Sequence, residues 1–559
     1  MKKKSALSLI LAIGMALGMV LSATACGGTG LRSDISYLYV FNYDGGVGRE
    51  WLDNIAAKFQ EEYADYSFEE GKKGVIVEVT PGESNLSTLG TDKYNVIFTE
   101  QVLYNDFISQ GLLLDISDVV DGSFSATSGI TDSRTIEEKM SQTQRDAITA
   151  MDGKYYVIPH YEVYTGLTYD VDLFYKNVLF FKDGGGWTDI DAEKSVGPDG
   201  VRGTSDDGLP SSYEEFYKLM DRMVNVAMVV PFIWTGEFTN YTNDLLAGLW
   251  AACAGKNEFE LNVNFDSSKT GTQATVINRF DEKGNPVEEK IDVTPETGYM
   301  MSHQASKYYA YAFLEKLLSS SSYYSTEITE VLSHLGAQEE FIYSSLENDT
   351  PIAMLIDGSY WYNEAKDIFR RSENTYKEKA KDRNFAWMPL PTQYSGSVKE
   401  GEGKKNALLE ILSSYSFINA NIKDKPEIVK MAKMFLQYCY TEEALVDFSV
   451  TTGIPKALNY TVPEEKLAQL PRYQQSLFKV KAESDIIYPY SDNKIFMVGQ
   501  ANFKFDQGSL IWGSTVNGTP YLNAYYAMNR GVSAKDYFMG AWTTENDWND
   551  AYSVYFNAK

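Results

Sequence analysis

The sequence predicts an α/β protein of two or three domains, and three observations carry that expectation. Its 559 residues are too many for one compact core, since a domain takes about 150. Hydrophobic residues make up 44% and charged residues 23%, a globular composition that leaves enough apolar surface to bury. Extended apolar runs alternate with stretches of helical periodicity.

The elements follow in order. Residues 37–42 (Tyr-Leu-Tyr-Val-Phe-Asn) are β-rich and end in the breaker Asp44-Gly45-Gly46-Val47-Gly48. Trp51, Leu52, Ile55, Ala56, Phe59 and Tyr63 then recur at helical spacing over residues 49–63. A second strand covers 74–80 and stops at Pro81-Gly82; a third covers 94–99, with a helix following to Gly111. This β-α-β-α order predicts a largely parallel sheet, whose ligands bind beyond the carboxyl ends of its strands. Those ends are residues 42–46 and 99–101. Helical patterns follow at 213–227, 243–254, 305–319, 337–347 and 426–440, with extended runs at 351–357, 386–391 and 414–419.

The amino terminus reads as an export signal with an anchor. Lys2-Lys3-Lys4 precede a nearly continuous apolar run over residues 6–21 and then small residues, a signal peptide rather than a spanning helix. The stretch Ala23-Thr24-Ala25-Cys26-Gly27-Gly28 resembles a bacterial lipobox. That resemblance implies cleavage after residue 25, lipidation of Cys26, a linker over 26–35 and a cell-surface protein held by its lipid. The alternative is ordinary secretion with an incidental cysteine.

Composition narrows the function. Acidic residues outnumber basic ones 77 to 50, for a net charge of −27. Such a surface repels phosphate backbones, so nucleic acid is excluded as a partner, as is an anionic membrane bound through a basic patch. Three histidines, His160, His303 and His334, leave little room for histidine catalysis or a multi-histidine metal site. Cys253 and Cys439 lie in apolar helical stretches, where buried free thiols are expected. Tyr, Phe and Trp reach 14%. That excess suits either aromatic-rich cores or a ligand that is half apolar and half hydroxyl.

Several segments, in order, resemble the extracellular solute-binding proteins of ABC sugar importers, the maltose-binding-protein-like family. They are Gly111-Leu112-Leu113-Leu114-Asp115-Ile116, Gly153-Lys154-Tyr155-Tyr156-Val157-Ile158-Pro159, Gly166 through Phe174, Pro210 through Phe216, Ile352 through Trp361, Met388-Pro389-Leu390-Pro391 and Gly453-Ile454-Pro455. Asp170 stands where the family has Asn, and Tyr213 where it has Trp. The resemblance implies two α/β lobes around an interlobe ligand cleft. Lobe 1 would comprise residues 36–158 with 358–414, and lobe 2 residues 159–357 with 415–559. It also implies a monomeric binding protein, not an enzyme, that passes a di- or oligosaccharide to a membrane permease.

Sugars need aromatic faces for their C–H surfaces and carboxylates or amides for their hydroxyls. On the family's pattern the ligand candidates are Asp44 in the glycine loop, Glu100 and Gln101 at the third strand's end, and His160, Tyr161 and Glu162 after the hinge proline. Asp44 could equally pair with a helix dipole or a turn, and the hinge trio could equally be packing. Tyr360 and Trp361 form the expected aromatic platform. Adjacent residues face opposite ways, so one stacks on sugar and the other packs, and Trp361, the larger ring, is favoured for the ligand. Trp234, which core packing would also explain, and Trp512 complete the set.

Residues 183–208 read differently. Their aspartates, among them Asp199, Asp206 and Asp207, lie between glycines in a pattern resembling extracellular calcium loops, with a structural calcium as the implied cofactor. A solvated acidic loop held by turns is the alternative. Two further function classes stay open: an oligopeptide-binding lipoprotein, and a glycoside hydrolase, for which no matched acid–base pair stands out.

Overall fold

The computed structural model describes residues 31–555 apart from 83–85, 101–103, 128, 131, 239–240, 347–349, 378–381, 394–395, 411–413 and 492–512. Strand β1 (Ser36–Tyr43) leads into helix α1 (Glu50–Glu62), then β2 (Val75–Gly82), β3 (Val96–Thr99) and β4 (Ile158–Pro159). The second lobe follows with β5 (Thr165–Asp170), α2 (Tyr213–Arg222), β6 (Val230–Ile233) and α3 (Tyr241–Asn264), broken at Gly255, where φ is 71°. A hairpin of β7 (Ala274–Phe280) and β8 (Pro286–Ile291) precedes α4 (Ala305–Leu318), α5 (His334–Tyr343), β9 (Ile352–Gly358), α6 (Trp361–Glu364), α7 (Lys366–Tyr376) and β10 (Phe385–Met388). The chain continues through β11 (Ala407–Leu409), β12 (Tyr415–Ile418), α8 (Pro426–Tyr438), α9 (Glu442–Thr452), α10 (Arg472–Glu483) and β13 (Asp485–Ile487) before a carboxyl-terminal helical segment.

Two sheets define two lobes. The first runs β2-β1-β3-β12-β4 and the second β10-β5-β9-β6. Neither is largely parallel. β1 pairs in parallel with β2 and β3, but β12 runs antiparallel to β3 and β4. In the second sheet β5 is antiparallel to β9 and β10, and β9 is parallel to β6. The antiparallel strands are those at the lobe crossings, where the chain reverses direction on entering the other sheet.

The lobe boundaries differ from the sequence expectation. Residues 385–388 belong to the second sheet, and residues 415–418 to the first. The chain therefore stays in lobe 2 from β5 to about residue 410 and re-enters lobe 1 at β12, α8 and α9. The strand ending at Asp357 is not a crossing. It is a central strand, and its seven residues are all buried.

Helix α1 buries Trp51, Leu52, Ile55, Ala56 and Phe59 in the lobe 1 core with Val40, Phe98, Phe435 and Phe448. Lobe 2 has a larger core around Phe216, Trp234, Leu249, Trp250 and Phe313. A second cluster on the opposite face of its sheet holds Trp361, Phe341, Phe385 and Tyr473. The β7–β8 hairpin, which periodicity did not reveal, turns at Asp281, whose Oδ1 accepts from the backbone N–H of Lys283 and Asn285, each at 2.8 Å. Among the described residues no helix is long and apolar enough to cross a membrane.

Candidate ligand cleft

Three chain passages join the lobes. Residues 160–164, Glu410, Ser414 and the segment around Lys456 lie side by side. The Glu162 N–H donates to the Pro455 carbonyl at 3.0 Å and the His160 N–H to the Ser414 carbonyl at 2.9 Å. The three hinge candidates turn inward here. His160 is 1% exposed. Its ring packs against Trp51 and Phe98, each with centroids 5.0 Å away, and Lys456 Nζ lies 2.5 Å from its Nδ1. Burial, then the lysine, push the imidazole well below its ordinary pKa. Tyr161 is buried beside His160 and Phe448. The Glu162 carboxylate accepts from Tyr164, Tyr488 and Lys481, which ties the hinge to α10 and the segment after it. All three residues are buried at the hinge.

The cleft is built from strand ends. Asp44 is exposed in the loop after β1 and its N–H donates to the Gly82 carbonyl at 3.3 Å. Glu100, directly after β3, is 7% exposed. Burial, followed by the charges of Glu364 and Glu410, pushes its carboxyl up to about 8. In lobe 2, β9 carries Asp357 and the start of α3 carries Tyr241 and Asp244. The Gln338 side-chain nitrogen donates to Asp357 Oδ2 at 3.1 Å and to Glu364 Oε2 at 2.7 Å, so two carboxylates share one neutral amide. Burial first, then Glu364, hold Asp357 well above the usual carboxylate range. Burial raises Asp244 to about 7.

Tyr360 closes one side. Its ring packs against the lobe 1 core, a Cβ on Gly46 would stand 2.6 Å from that ring, and its hydroxyl lies 3.3 Å from that of Tyr241. Trp361 does the opposite of what the platform expectation requires. It is fully buried in the second lobe 2 cluster, with ring centroids 5.3 Å from Tyr473 and 5.5 Å from Phe385. The turn after Gly358 starts α6 at Trp361, and the helix rotates the indole into the lobe, leaving Tyr360 as its cleft-facing neighbour. Trp234 is also a core residue, packed against Tyr324 at 5.3 Å. Gln101 and Trp512, like Cys26, lie outside the described residues.

The aspartate loop holds itself. Asp206 Oδ2 accepts from the Asp199 N–H at 2.8 Å and from Asn406 at 3.1 Å, and Oδ1 accepts from Thr204 at 2.8 Å. Asp199 Oδ1 accepts from the Val201 N–H at 2.7 Å and Asp207 Oδ2 from the Gly203 N–H at 2.7 Å. Burial and the Asp199 charge raise Asp206 to about 7. Among the described residues no group of three His, Cys, Asp or Glu side chains is placed to hold a metal ion.

Sequence reasoning missed Tyr241, Asp244, Gln338, Glu364 and Glu410. Only Asp244, in the first turn of a helix, carried a local signal; the others meet through the tertiary fold.

No family model and no curated protein matches the chain. Solved structures do. The GacH receptor of Streptomyces glaucescens GLA.O, solved unliganded and in complex with acarbose and an acarbose homolog, covers 94% of this chain and 99% of its own at 12% identity and a TM-score of 0.51. A chitin oligosaccharide binding protein covers 91% of this chain and 100% of its own at 15% identity and a TM-score of 0.50. The chain therefore has the two-lobed periplasmic-binding-protein fold.

Proposed function

We propose that this chain is a binding protein that captures a di- or oligosaccharide between its lobes and delivers it to an ABC importer permease. The observation that carries this reading is the cleft itself. Tyr241 and Tyr360 offer aromatic faces, and carboxylates from both lobes offer acceptors for hydroxyls, around a three-passage hinge. A ligand that touches both lobes favours the closed arrangement through its differential contacts. One protein of this fold was solved in complex with acarbose and another is named a chitin oligosaccharide binding protein, which supports a saccharide over the oligopeptide alternative. The protein binds without turning its ligand over, and it works as a monomer at the cell surface, held by a lipid on Cys26. The Asp199–Asp206–Asp207 loop acts as a brace within lobe 2 and not as a calcium site.

Titration calorimetry of the secreted chain against neutral glycans and peptides tests the reading, with a hydrolysis assay on the same preparation. Micromolar saccharide affinity, about −8 kcal/mol, with no product release is expected. Peptide binding alone, or glycan cleavage, would overturn it. For the anchor, Cys26→Ala is expected to move the protein from the membrane fraction to the medium; equal retention would rule lipid anchoring out.

A further inference from the structure

We propose that residues 488–491 form a tyrosine clasp between the lobes, and that Tyr490 is a positioning residue that sets ligand affinity by holding the lobes together. This rests on the reading above in one respect, that the ligand binds between the lobes.

The clasp begins with the sequence Tyr488-Pro489-Tyr490. A proline ring presets the φ of a tight turn. The Tyr490 N–H donates to the Tyr488 carbonyl at 2.8 Å, closing a three-residue turn around Pro489. Both rings come to one side and lie parallel, with centroids 5.8 Å apart and planes 10° off. The turn follows β13, which pairs in parallel with β11 and buries Ile487 in the main lobe 2 core. Beyond the turn, Ser491 Oγ lies 3.5 Å from Asn264 Oδ1 at the end of α3, also in lobe 2. Lobe 2 therefore holds both flanks of the turn.

The rings reach out of lobe 2. Tyr490 is buried against Ala147 of lobe 1. Its hydroxyl accepts from that of Tyr415, the first residue of β12, at 3.2 Å. Tyr415 packs edge-on to Tyr104 with centroids 4.9 Å apart, and the Tyr104 hydroxyl donates to the Ala147 carbonyl at 3.1 Å. Tyr104, Ala147 and Tyr415 thus make one lobe 1 seat for the Tyr490 ring. Tyr488 donates to Glu162 in the first hinge passage. Packing of a carboxyl-terminal segment onto its own lobe would place the partners of Tyr490 in lobe 2; they lie in lobe 1. The grip exists in the same arrangement that packs Tyr360 of lobe 2 on the lobe 1 core. Rotation about the passages moves Ala147 relative to β13 and Asn264, so the turn cannot keep both sets of contacts. A contact present in one arrangement and lost in the other favours the first, and a ligand that needs the first binds in proportion to its population.

The test reads lobe separation with and without ligand. Small-angle scattering of the full secreted chain is recorded for the wild type, Tyr490→Ala, Tyr490→Phe, Tyr415→Phe and the double Phe variant, free and with maltotriose or chitotriose. Calorimetry gives the affinities, and melting curves show which variants fold. Tyr490→Ala is expected to enlarge the radius of gyration of the free protein and to weaken trisaccharide binding about threefold or more. Saturating ligand should return it to the wild-type radius. Tyr490→Phe keeps the ring on Ala147 and loses only the hydroxyl pair, so it and Tyr415→Phe should each weaken binding by less. The double Phe variant should be no weaker than either single one, because both remove the same contact. An unchanged free radius in a folded Tyr490→Ala overturns the proposal. So does a lower melting temperature with unchanged affinity, the outcome of plain packing. If Tyr490→Ala does not fold, the Phe variants decide, and additive losses or none overturn the clasp. If neither trisaccharide binds the wild type, that counts against the saccharide reading, while the free-protein radius still decides the clasp.

Discussion

The Asn363 side-chain amide of lobe 2 donates to the Gly46 carbonyl of lobe 1 at 2.6 Å. With Tyr360 packed over the same glycine, this contact joins the lobes at the rim of the cleft. Gly46 is needed for its size, because a Cβ there would lie 2.6 Å from the Tyr360 ring. Gly46→Ala is therefore expected to hold the lobes apart and lower ligand affinity about tenfold while the fold persists. Small-angle scattering with calorimetry checks it; unchanged affinity and radius of gyration would show that Tyr360 moves aside.

Tyr360 and Trp361 should separate cleanly. Tyr360→Ala removes a rim ring and should cost about 1–3 kcal/mol in ligand binding with modest loss of stability. Trp361→Ala empties a fully buried site and should cost about 3–5 kcal/mol in folding stability. Measuring both constants for both variants decides it, and the reverse pattern would return Trp361 to the ligand.

The Glu100 and Asp244 carboxyls should each subtract from the stability of the free protein as pH rises from about 5 to 8. Glu100 moves up from 4.5 to about 8 and Asp244 from 3.8 to about 7, each chiefly by burial. Between the unfolded and folded pKa values the native state holds more protons, so raising pH favours unfolding. Each such proton contributes at most about 1.4 kcal/mol for every pH step of one across that window. His160 and His303, held below the ordinary imidazole range chiefly by burial, act in the opposite sense over the lower part of this window, so the difference between wild type and Glu100→Gln, rather than the wild-type slope alone, reads the contribution of Glu100. Melting temperatures across the range are the check, and Glu100→Gln should shift the slope upward. A slope unchanged in that variant would place the protons elsewhere.

Chelation should leave the melting curve unchanged, because the Asp199 and Asp206 carboxylates already accept from loop donors. Asp206→Ala should instead cost about 1–3 kcal/mol, since it strands the Asp199 N–H and the Asn406 amide. A drop in melting temperature on adding chelator would restore the calcium site.

The α/β class, the positions of most elements and the candidacy of Asp44, Glu100 and Tyr360 are legible in the residues, because hydrophobic period and turn chemistry act over a few neighbours. Helix α1 announces itself through Trp51, Ile55 and Phe59, and β9 through five consecutive apolar side chains. The family-like motifs in order tell the two-lobed plan. What they cannot tell is direction. The register placing Tyr415 in the first sheet and Phe385 in the second is a choice between long-range partners, so the motifs misplace the lobe boundaries. Trp361 and Trp234 read as cleft residues because an aromatic looks alike in sequence whether it lines a rim or fills a core; the start of α6 and the packing of Tyr324 decide that. The meeting of Glu100 with Glu364, residues far apart in the chain, is decided by the tertiary structure alone, since only folding two sheets against one hinge brings those charges within each other's field.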